Sequence, residues 1–442
     1  MDPVSKTTML GAAGVGGESY WYSTIDDPNN NFYTGLDVDG DGNIYGSISS
    51  SLQQFMVIKY DSDGAIQWQK SLQSNSIEPH GIVYNSNLNR VYVSGRAYTG
   101  SSYDIIFAAY NASTGNKDYV VQTGGTGNDY GQSIANYGNN IYIAGHQNSQ
   151  SFGSSDGFIT NLTSTASVNW ARVLGASSHE SFYNMAVGNT GNLYVTGYTT
   201  SQGAGSQNGI VAKFDNGGSP VYWQRVLGSA SYLYTIFFDI TVDVFENAIV
   251  IGRTYNSSTS TYEMIIAKYD YNGNFQWNRT LAAGGGNNTY GHAVTTDSSG
   301  NIYAYGFSAI GGYNVLVLFK LDTSGTMIFQ RAFGRSSTGP NAHYYLSGDS
   351  SNPLVLDGLG NMYFAGFRDA DGAGVLVKVP DDGSLVGTYG DVEYSSISFT
   401  LATPSMTSST STFSDSSWSL PAGSLHSATD STPTHTVVTT NL

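Results

Sequence analysis

The most regular feature of the sequence is a six-residue pattern in which small or polar residues alternate with bulky apolar residues. It occurs seven times in the 442-residue chain, at intervals of roughly 50 residues. Alternation with a period of two is typical of a β-strand that buries one of its faces. The pattern therefore predicts seven similar strands, which begin at Asn43, Arg90, Asn140, Asn192, Asn247, Asn301 and Asn361.

Three further strands are predicted around each copy of the pattern. A short half-apolar run near a glycine precedes it, as in residues 131–134, and a β-branched run that ends in Lys-aromatic-Asp follows it, as in residues 265–270. A glycine-containing turn then leads to a strand with an aromatic and a basic residue, as in residues 223–225. Four short strands joined by Asn, Asp and Gly turns form one antiparallel sheet. Since a sheet of this size cannot bury both faces alone, the seven sheets are expected to stack around an axis.

The predicted fold is therefore all-β. It is a seven-bladed ring of four-stranded antiparallel blades over residues 18–390, with a Gly-rich arm at 1–17 and an extended Ser/Thr-rich tail at 391–442. The segment Trp21–Ile25 has the pattern of a fourth strand but follows no blade of its own, whereas segment 384–389 in the last repeat lacks the aromatic and basic residues. We therefore expect Trp21–Ile25 to complete the last blade and close the ring.

The recurring phrases, in this order, resemble the seven-bladed β-propeller repeat family over about residues 20–390. The match is incomplete in the first repeat, where Gly46 and Ile48 show that the glycine has shifted. In the fifth repeat Ile249 replaces the tyrosine. The resemblance implies a propeller fold and leaves the activity open, since such propellers include enzymes, lectins and scaffolds.

The composition narrows the class of partner. Charged residues make up 11% of the chain, against about 25% in ordinary soluble domains. The net charge is −16, and most of the 17 Lys and Arg residues fall at fixed repeat positions, so we interpret them as blade components. No basic cluster remains, and nucleic acid is not an expected partner. The chain has no cysteine for disulfide or thiolate chemistry, and no run of about 20 apolar residues predicts a membrane span.

Neither end of the sequence carries the repeat. The apolar stretch at residues 9–15 is too short and too Gly-rich for a signal peptide, so the arm is expected to remain unprocessed. Close to half of the residues after 391 are Ser or Thr, with apolar residues spaced among them. An extended segment of this kind binds by adding a strand to the edge of a sheet. We therefore expect both ends to contact neighbouring subunits, the tail through Phe399, Phe413 and Trp418.

The sharpest candidate for chemistry is the acidic segment 37–44. Asp37, Asp39 and Asp41 match ligand positions of an EF-hand-like calcium loop, and they are the candidate metal ligands. The twelfth position is Ile48, where such a loop needs a bidentate glutamate. The alternative is a hairpin turn held by Asp and Asn side chains. The seven histidines show no spacing typical of a metal or catalytic site, so no other cofactor is expected.

Two classes of function remain. The first is a non-enzymatic structural or interaction protein of a virus particle. A short arm, a repeat propeller and a Ser/Thr-rich tail resemble virion proteins of marine tailed bacteriophages. The resemblance implies a tail component (a nozzle, tail tip or fibre) that is located in the virion and uses the propeller as a docking or host-contact disc. Its partners would be other virion proteins, copies of itself, and a host surface glycan or receptor.

The second class is a carbohydrate-binding lectin or a glycoside-acting enzyme of the propeller class. Aromatic rings can stack on sugar rings, but most aromatic residues here fall at repeat positions and are expected in the blade cores. Aromatic residues outside the repeat are therefore the candidates for surface contact: Tyr232, Tyr234, Phe237, Tyr344 and Tyr345.

Overall fold

In the computed structural model, every regular element of the described residues is a β-strand. The described residues are 7–9, 20–25, 31–50, 54–73, 76–149, 152–310, 313–335, 344–345, 353–368, 372–389, 392–411, 413–417, 424–425, 429–431 and 437–441. None of these residues belongs to a helix long and apolar enough to cross a membrane. Two strands precede the first blade: β1 (Thr7–Met9) and β2 (Trp21–Ile25).

Six complete blades follow, and each is an antiparallel sheet whose first strand lies next to the first strands of the neighbouring blades. Blade 1 comprises β3 (Asn31–Val38), β4 (Ile44–Ser50), β5 (Gln54–Tyr60) and β6 (Ile66–Gln73). Blade 2 comprises β7 (Ile77–Asn85), β8 (Arg90–Tyr98), β9 (Tyr103–Asn111) and β10 (Lys117–Thr123). Blade 3 comprises β11 (Asp129–Tyr137), β12 (Asn140–Gln147), β13 (Asp156–Leu162) and β14 (Val168–Gly175).

Blades 4 to 6 repeat this order. Blade 4 comprises β15 (Glu180–Val187), β16 (Leu193–Thr199), β17 (Asn208–Phe214) and β18 (Val221–Gly228). Blade 5 comprises β19 (Ile236–Val242), β20 (Ala248–Asn256), β21 (Thr261–Tyr269) and β22 (Phe275–Ala282). Blade 6 comprises β23 (Thr289–Thr296), β24 (Ile302–Ile310), β25 (Tyr313–Leu321) and β26 (Met327–Arg335).

The seventh blade is assembled from both ends of the ring. Its inner strands are β27 (Tyr344–Tyr345) and β28 (Leu354–Leu356), which both pair with β29 (Asn361–Arg368), and β30 (Ala373–Pro380) follows. The fourth strand is β2, which pairs antiparallel with β30 and sets Trp21 opposite Lys378. Within the competing segment 384–389, the strand β31 (Gly387–Tyr389) pairs with the tail and not with β30. The predicted seven-bladed propeller and its closure by Trp21–Ile25 are both confirmed.

At five of the joints between blades an aromatic ring lies on a glycine, whereas Ala166, with a φ of 66°, stands in the place of the glycine between blades 2 and 3. The indole of Trp68 covers the turn at Gly115 of blade 2, where an added Cβ would lie 2.7 Å from the ring. The same indole donates its Nε1–H to the carbonyl oxygen of Ala112 at 3.0 Å. Glycine is required here because its backbone has a φ of 68° and because any side chain would hold the ring away. The arrangement recurs in Trp170–Gly218, Trp223–Gly273, Trp277–Gly325 and Phe329–Gly383.

The basic residues at fixed repeat positions reinforce the same joints. Arg225 donates from Nε to the carbonyl oxygen of Gly273 at 2.7 Å. Lys268 donates from Nζ to the carbonyl oxygen of Thr323 in blade 6 at 3.4 Å, and it forms a buried ion pair with Asp243 of its own blade, with Nζ 3.0 Å from Oδ2. Equivalent bonds run from Arg279 to Gly325 and from Arg331 to Gly383. The interpretation of these cations as blade components is confirmed.

The Ser/Thr-rich tail lies on the ring of its own chain. Seven short strands of the tail, which we call the belt, each extend the outer edge of a different blade. The belt meets blades 6, 5, 4, 3, 2 and 1 in that order and ends at blade 7, where β1 lies between β2 and the last belt strand. Its strands are β32 (Val392–Ser396), β33 (Thr400–Ala402), β34 (Thr407–Thr410), β35 (Ser414–Ser417), β36 (Ser424–Leu425), β37 (Thr429–Ser431) and β38 (Val437–Asn441).

Apolar side chains fix the belt in the grooves between blades. Phe399 is 7% exposed and meets Phe319 edge to face at a centroid distance of 5.1 Å. Phe413 is 6% exposed and packs in the core between blades 3 and 4. Glutamine side chains of the fourth strands hold the belt backbone, since Gln330 Oε1 accepts from the Phe399 N–H at 2.6 Å and Gln224 Oε1 from the Phe413 N–H at 3.2 Å.

This packing corrects the expectation that Phe399 and Phe413 anchor the tail to a neighbouring subunit. The expected mode of binding, strand addition at a sheet edge, is present, but the edge belongs to the same chain. An outer strand with unpaired N–H and C=O groups is a template for aggregation, and covering it locally removes that template. The third predicted anchor, Trp418, lies outside the described residues.

One hairpin turn borrows a carboxylate from the next blade. In most blades an aspartate closes the turn between the first two strands, as Asp39 does by accepting from the Asp41 N–H at 3.0 Å and the Tyr45 hydroxyl at 3.0 Å. Blade 4 has Gly188 at this position. Glu246 of blade 5 supplies the missing carboxylate, accepting from the Thr190 N–H at 2.9 Å and the Tyr194 hydroxyl at 3.1 Å.

Glu246 adopts a conformation that the equivalent residues leave to glycine. Its φ is 63°, whereas Gly42, Gly300 and Gly360 occupy the same place in other blades with φ between 78° and 100°. A left-handed conformation costs a residue with a side chain about 1 kcal/mol relative to glycine. A Cβ at Gly188 would also collide with the Glu246 carboxylate. The two exceptions to the repeat therefore depend on each other.

We expect a double-mutant cycle at these positions to show this dependence. Gly188→Asp alone places two carboxylates at one turn. Glu246→Gly alone leaves the Thr190 N–H without an acceptor and leaves the Tyr194 hydroxyl only the backbone carbonyl oxygen of residue 246, at 3.3 Å. The double variant restores the turn used in blade 1 and should be more stable than either single variant, with a favourable coupling of about 1–2 kcal/mol. Urea unfolding measures the coupling, and simple additivity of the two single effects would contradict the borrowed carboxylate.

A second prediction concerns the belt. Phe399→Ala and Phe413→Ala should each lower the free energy of unfolding by about 3 kcal/mol, because each leaves a cavity in an interblade core. Thr400→Ala, at an exposed belt position, is the control and should change it by less than about 0.5 kcal/mol. Since the contacts are within one chain, the urea midpoint should not depend on protein concentration. A concentration-dependent midpoint, or Phe variants as stable as Thr400→Ala, would show that the belt does not anchor here.

Candidate binding face

The first strands of blades 1 to 6 each carry a β-bulge at the same place, next to the axis of the ring. In blade 2 the register shifts between Pro79 and Gly81, which leaves His80 without a partner in the ladder. A bulge re-aims one side chain and breaks the alternation of the strand. The residues at this position in blades 1 to 6 are Thr34, His80, Gln132, Tyr183, Phe238 and His292.

These bulge residues meet across the blade boundaries. His80 Nδ1 lies 2.5 Å from Gln132 Oε1, and the rings of Phe238 and His292 stack at 5.2 Å with an interplanar angle of 5°. His80 and His292 are nearly fully buried. Both histidines lie in the first strands of their blades, His80 in β7 and His292 in β23. The axis is therefore lined by packed side chains at this level.

A second ring of large side chains lies one step toward the loops that connect the blades. It is formed by the residue that follows the glycine of the recurring pattern, such as Arg96, His146, Tyr198 and Arg253. Together with rings at the starts of first and third strands, they form a continuous series of ring contacts across blades 2 to 6. We call this series the aromatic face. In order of contact it contains Tyr98, Tyr103, Tyr130, His146, His179, Tyr198, Tyr183, Phe238, His292, Phe307, Tyr290, Tyr262, Tyr255 and Tyr234.

Two arginines are clamped between tyrosines on this face. The Arg96 guanidinium lies 5.0 Å from the Tyr103 ring centroid and 5.1 Å from that of Tyr130. The Arg253 guanidinium lies 5.0 Å from Tyr262 and 5.7 Å from Tyr290. In each case one tyrosine begins the third strand of the same blade and the other belongs to the first strand of the next blade. The two sites are therefore repeats of one arrangement.

The ionisable groups of the face are perturbed mainly by burial. Burial lowers the pKa of His146 to about 3, with a further contribution from the neighbouring His179. Burial also lowers the pKa of His292 to about 3, and Arg253 adds to the shift. The pKa of Asp129 is raised to about 6 by burial, although its carboxylate accepts hydrogen bonds from the Gly125 N–H and Ser149. Such carboxylates stabilise the loops that connect the blades by accepting hydrogen bonds from them.

The candidate calcium ligands lie in blade 1, where Asp37 and Asp39 accept hydrogen bonds from the protein. Asp37 Oδ2 accepts from the Tyr84 N–H of blade 2 at 2.7 Å, so this carboxylate joins two blades. Asp39 is engaged by the hairpin turn described above, and Asp41 is exposed. Among the described residues no three His, Asp or Glu side chains are placed to hold a metal ion. The geometry corresponds to the alternative of a hairpin turn held by Asp and Asn.

The structure places the five aromatic residues proposed for surface contact in different environments. Tyr234 lies on the aromatic face, 38% exposed and 6.1 Å from the ring of Tyr255. Tyr232 lies in the same loop and pairs with Asn256. Phe237 is a correction, because it is fully buried in the core between blades 4 and 5, where it lies against Gly209. Tyr344–Tyr345 forms a strand against Arg368 and Phe367, and only the backbone of this pair is described.

Most of the aromatic face was missed because aromatic residues at repeat positions were assigned to the blade cores. The signal was present in the sequence. The residue after the glycine of the recurring pattern is Arg96, His146, Tyr198, Arg253, Phe307 or Phe367 in blades 2 to 7, which is a run of large planar groups. In blades 2 to 6 this side chain is only partly covered, because it lies where the second strand leaves the core, whereas Phe367 of blade 7 is buried.

No protein-family model matches the sequence, and no curated protein is detectably similar to it. Three solved structures illustrate the similarity in fold. The WD40 β-propeller domain of Doa1 has a TM-score of 0.48 at 8% identity, over 85% of this chain and 97% of that one. A europium-containing methanol dehydrogenase has a TM-score of 0.45 at 10% identity, over 78% and 83%. A protein of unknown function from Bacteroides caccae has a TM-score of 0.35 at 9% identity, over 56% and 80%. The fold assignment rests on the strand pairing itself.

Two histidines of the aromatic face, His146 and His292, should remain neutral under ordinary conditions. With pKa values of about 3, His146 and His292 take up a proton in the folded state only in strong acid, whereas in the unfolded chain they titrate near 6.5. Their contribution to stability is therefore present above about pH 6.5 and is lost as the pH falls toward 3. NMR of the ring Cε1–H signals should show no titration of either residue between pH 5 and 8. A midpoint near 6.5 would mean that the rings are open to solvent.

Proposed function

We propose that this protein is a non-enzymatic binding protein whose aromatic face contacts carbohydrate, as the host-contact disc of a virus tail component. The observation that carries the proposal is the continuous series of ring contacts from Tyr98 to Tyr234, in which most of the rings are partly exposed on one face of the disc and Phe238 and His292 are buried. Aromatic rings supply large contact areas with little loss of side-chain freedom, and they stack on the apolar faces of sugars. The proposal joins the host-contact role expected from the sequence with the lectin alternative.

The construction of the disc supports a binding role. The interblade joints and the belt hold the blades in fixed positions, so the rings are preorganised and little entropy is lost when a ligand binds. Tyr130 and Tyr290 each belong to a first strand and support an arginine from the neighbouring blade. The aromatic face is thus part of the framework of the ring and does not depend on the movement of a loop.

Binding is favoured over hydrolysis by the use of the nearby carboxylates. Glycoside hydrolysis needs two carboxyl groups that flank the bond to be cleaved, about 5–9 Å apart. Glu180 accepts from the Ala176 N–H at 2.7 Å and from the Thr199 hydroxyl at 2.7 Å, and it is 1% exposed. Asp129 and Asp156 likewise accept from backbone N–H groups in their own loops. These acids stabilise the connections between blades.

The proposed location is a virus particle, because the arm, propeller and tail of the sequence resemble virion proteins of tailed bacteriophages. The described belt packs on its own ring, so inter-subunit weaving by Phe399 and Phe413 no longer supports this setting. A host-contact disc needs only one open face, and the described belt strands lie along the outer edges of the blades.

A glycan array followed by calorimetry tests the proposal. The wild-type protein should bind a subset of glycans, and Tyr130→Ala and Tyr290→Ala should each weaken binding about tenfold, which corresponds to about 1.4 kcal/mol of stacking. Phe245→Ala removes an aromatic ring that is 64% exposed on the opposite face, and it is the matched control. Absence of binding to any glycan, or an equal loss in Phe245→Ala, would refute the carbohydrate role.

A further inference from the structure

Arg253 is a cation without a counterion. Its guanidinium is surrounded by ring faces, at 5.0 Å from Tyr262, 5.5 Å from Phe238 and 5.7 Å from Tyr290. Its Nε is buried and has no hydrogen-bond partner. Among the described residues no carboxylate lies within ion-pair distance of Arg253, and the nearby Glu263 accepts instead from Asn256 at 2.8 Å.

The repeat supplies an internal comparison. Arg96 occupies the same position in blade 2, between the equivalent tyrosines, and it binds Glu78 with Nε at 3.0 Å and Nη2 at 2.6 Å from Oε2. Glu78 lies directly opposite Arg96 in the strand register. The residue opposite Arg253 in blade 5 is Ile236, which has no charge. One site therefore carries its own carboxylate, and the other has the same cation and the same aromatic walls without it.

A second unpartnered polar atom lies in the same cluster. The ring of His292 is 4% exposed and stacks on Phe238, one of the walls of Arg253, and its Nδ1 is buried without a hydrogen-bond partner. Buried polar groups and cations are unfavourable unless they are paired. The cluster therefore contains two unpartnered polar atoms, and an anion bound at the guanidinium would supply the counterion that Arg253 lacks.

We propose that Arg253 binds the carboxylate of an acidic sugar, so that the ligand takes the place that Glu78 holds at Arg96. The inference rests on the proposed carbohydrate-binding function and specifies its ligand as a uronic or sialic acid unit. The planar guanidinium matches a carboxylate through two parallel hydrogen bonds. The next rings along the face are Tyr255 and Tyr234, and Tyr234, 38% exposed, is the stacking surface for the sugar ring.

Calorimetry with matched ligands tests this assignment. Oligogalacturonate and a methyl α-sialoside carry the carboxylate, and their methyl esters have the same sugar rings without the charge. The wild-type protein should bind at least one acid about tenfold or more tightly than its ester. Arg253→Met keeps the length of the side chain without the charge and should abolish that preference, and Arg253→Lys should restore only part of it because the fork is lost.

Two further variants use the internal comparison. Arg96→Met removes an arginine that is already paired with Glu78, so it should leave the preference for the acid unchanged. Ile236→Glu installs the carboxylate of blade 2 in blade 5, and it should occupy Arg253 and abolish the preference while leaving the ester affinity within about twofold. A preference for the acid that persists in Arg253→Met or in a folded Ile236→Glu protein would overturn the assignment.

The outcomes separate this inference from the proposed function. If the wild-type protein binds ester and acid equally, and Tyr130→Ala weakens both, carbohydrate binding stands and the Arg253 assignment is wrong. If no sugar binds, both are wrong. Sulfated oligosaccharides without carboxylates form a further arm, and binding of these alone, lost in Arg253→Met, would replace the carboxylate by a sulfate and overturn the assignment to uronic or sialic acids.

Discussion

The close contact of an aromatic ring with a glycine turn is the interaction on which the ring of blades depends. Where Trp68 lies on Gly115, the indole is held both by the backbone beneath it and by a hydrogen bond to the Ala112 carbonyl oxygen. A blade buries one sheet face only if its neighbour is at the right distance, and the absent Cβ sets that distance. The same contact recurs at four further joints between blades, so it sets most of the interblade distances on which the axis, the grooves and the aromatic face depend.

Closure of the ring is a separate constraint. In an open array, the first and last blades would each leave one sheet face exposed to solvent. The strand β2 supplies the fourth strand of blade 7 and carries Trp21, which donates from Nε1 to the carbonyl oxygen of Ser62 in blade 1 at 3.3 Å. The closing joint is therefore of the same kind as the others. The belt adds a second closure around the circumference, through which each outer edge is paired within the chain.

Strand pattern and turn chemistry were sufficient to predict the blades and the use of Trp21–Ile25, since each depends on local spacing that repeats. The belt was assigned to a neighbouring subunit because local spacing does not show which chain supplies the sheet edge, although Phe399, Met406 and Phe413 recur at every seventh position. Phe237 was misplaced because the bulge at Phe238 breaks the alternation that would have assigned it to the core. The borrowed carboxylate of Glu246 joins residues of two blades, and no local pattern encodes it.

The reversed path of the belt has a consequence for synthesis. Strands are made from blade 1 onward, but blade 1 is the sixth to be covered, by Thr429–Ser431, about 350 residues after its own outer strand. At a translation rate of about 5–20 residues per second, that edge stays open for roughly 20–70 s. Blade 6 is covered by Val392–Ser396, about 60 residues after its outer strand, and it waits for only roughly 3–12 s at the same rate. The blade that emerges first must therefore remain soluble with an uncovered edge for longest, so selection against self-association acts most strongly on the outer strand of blade 1.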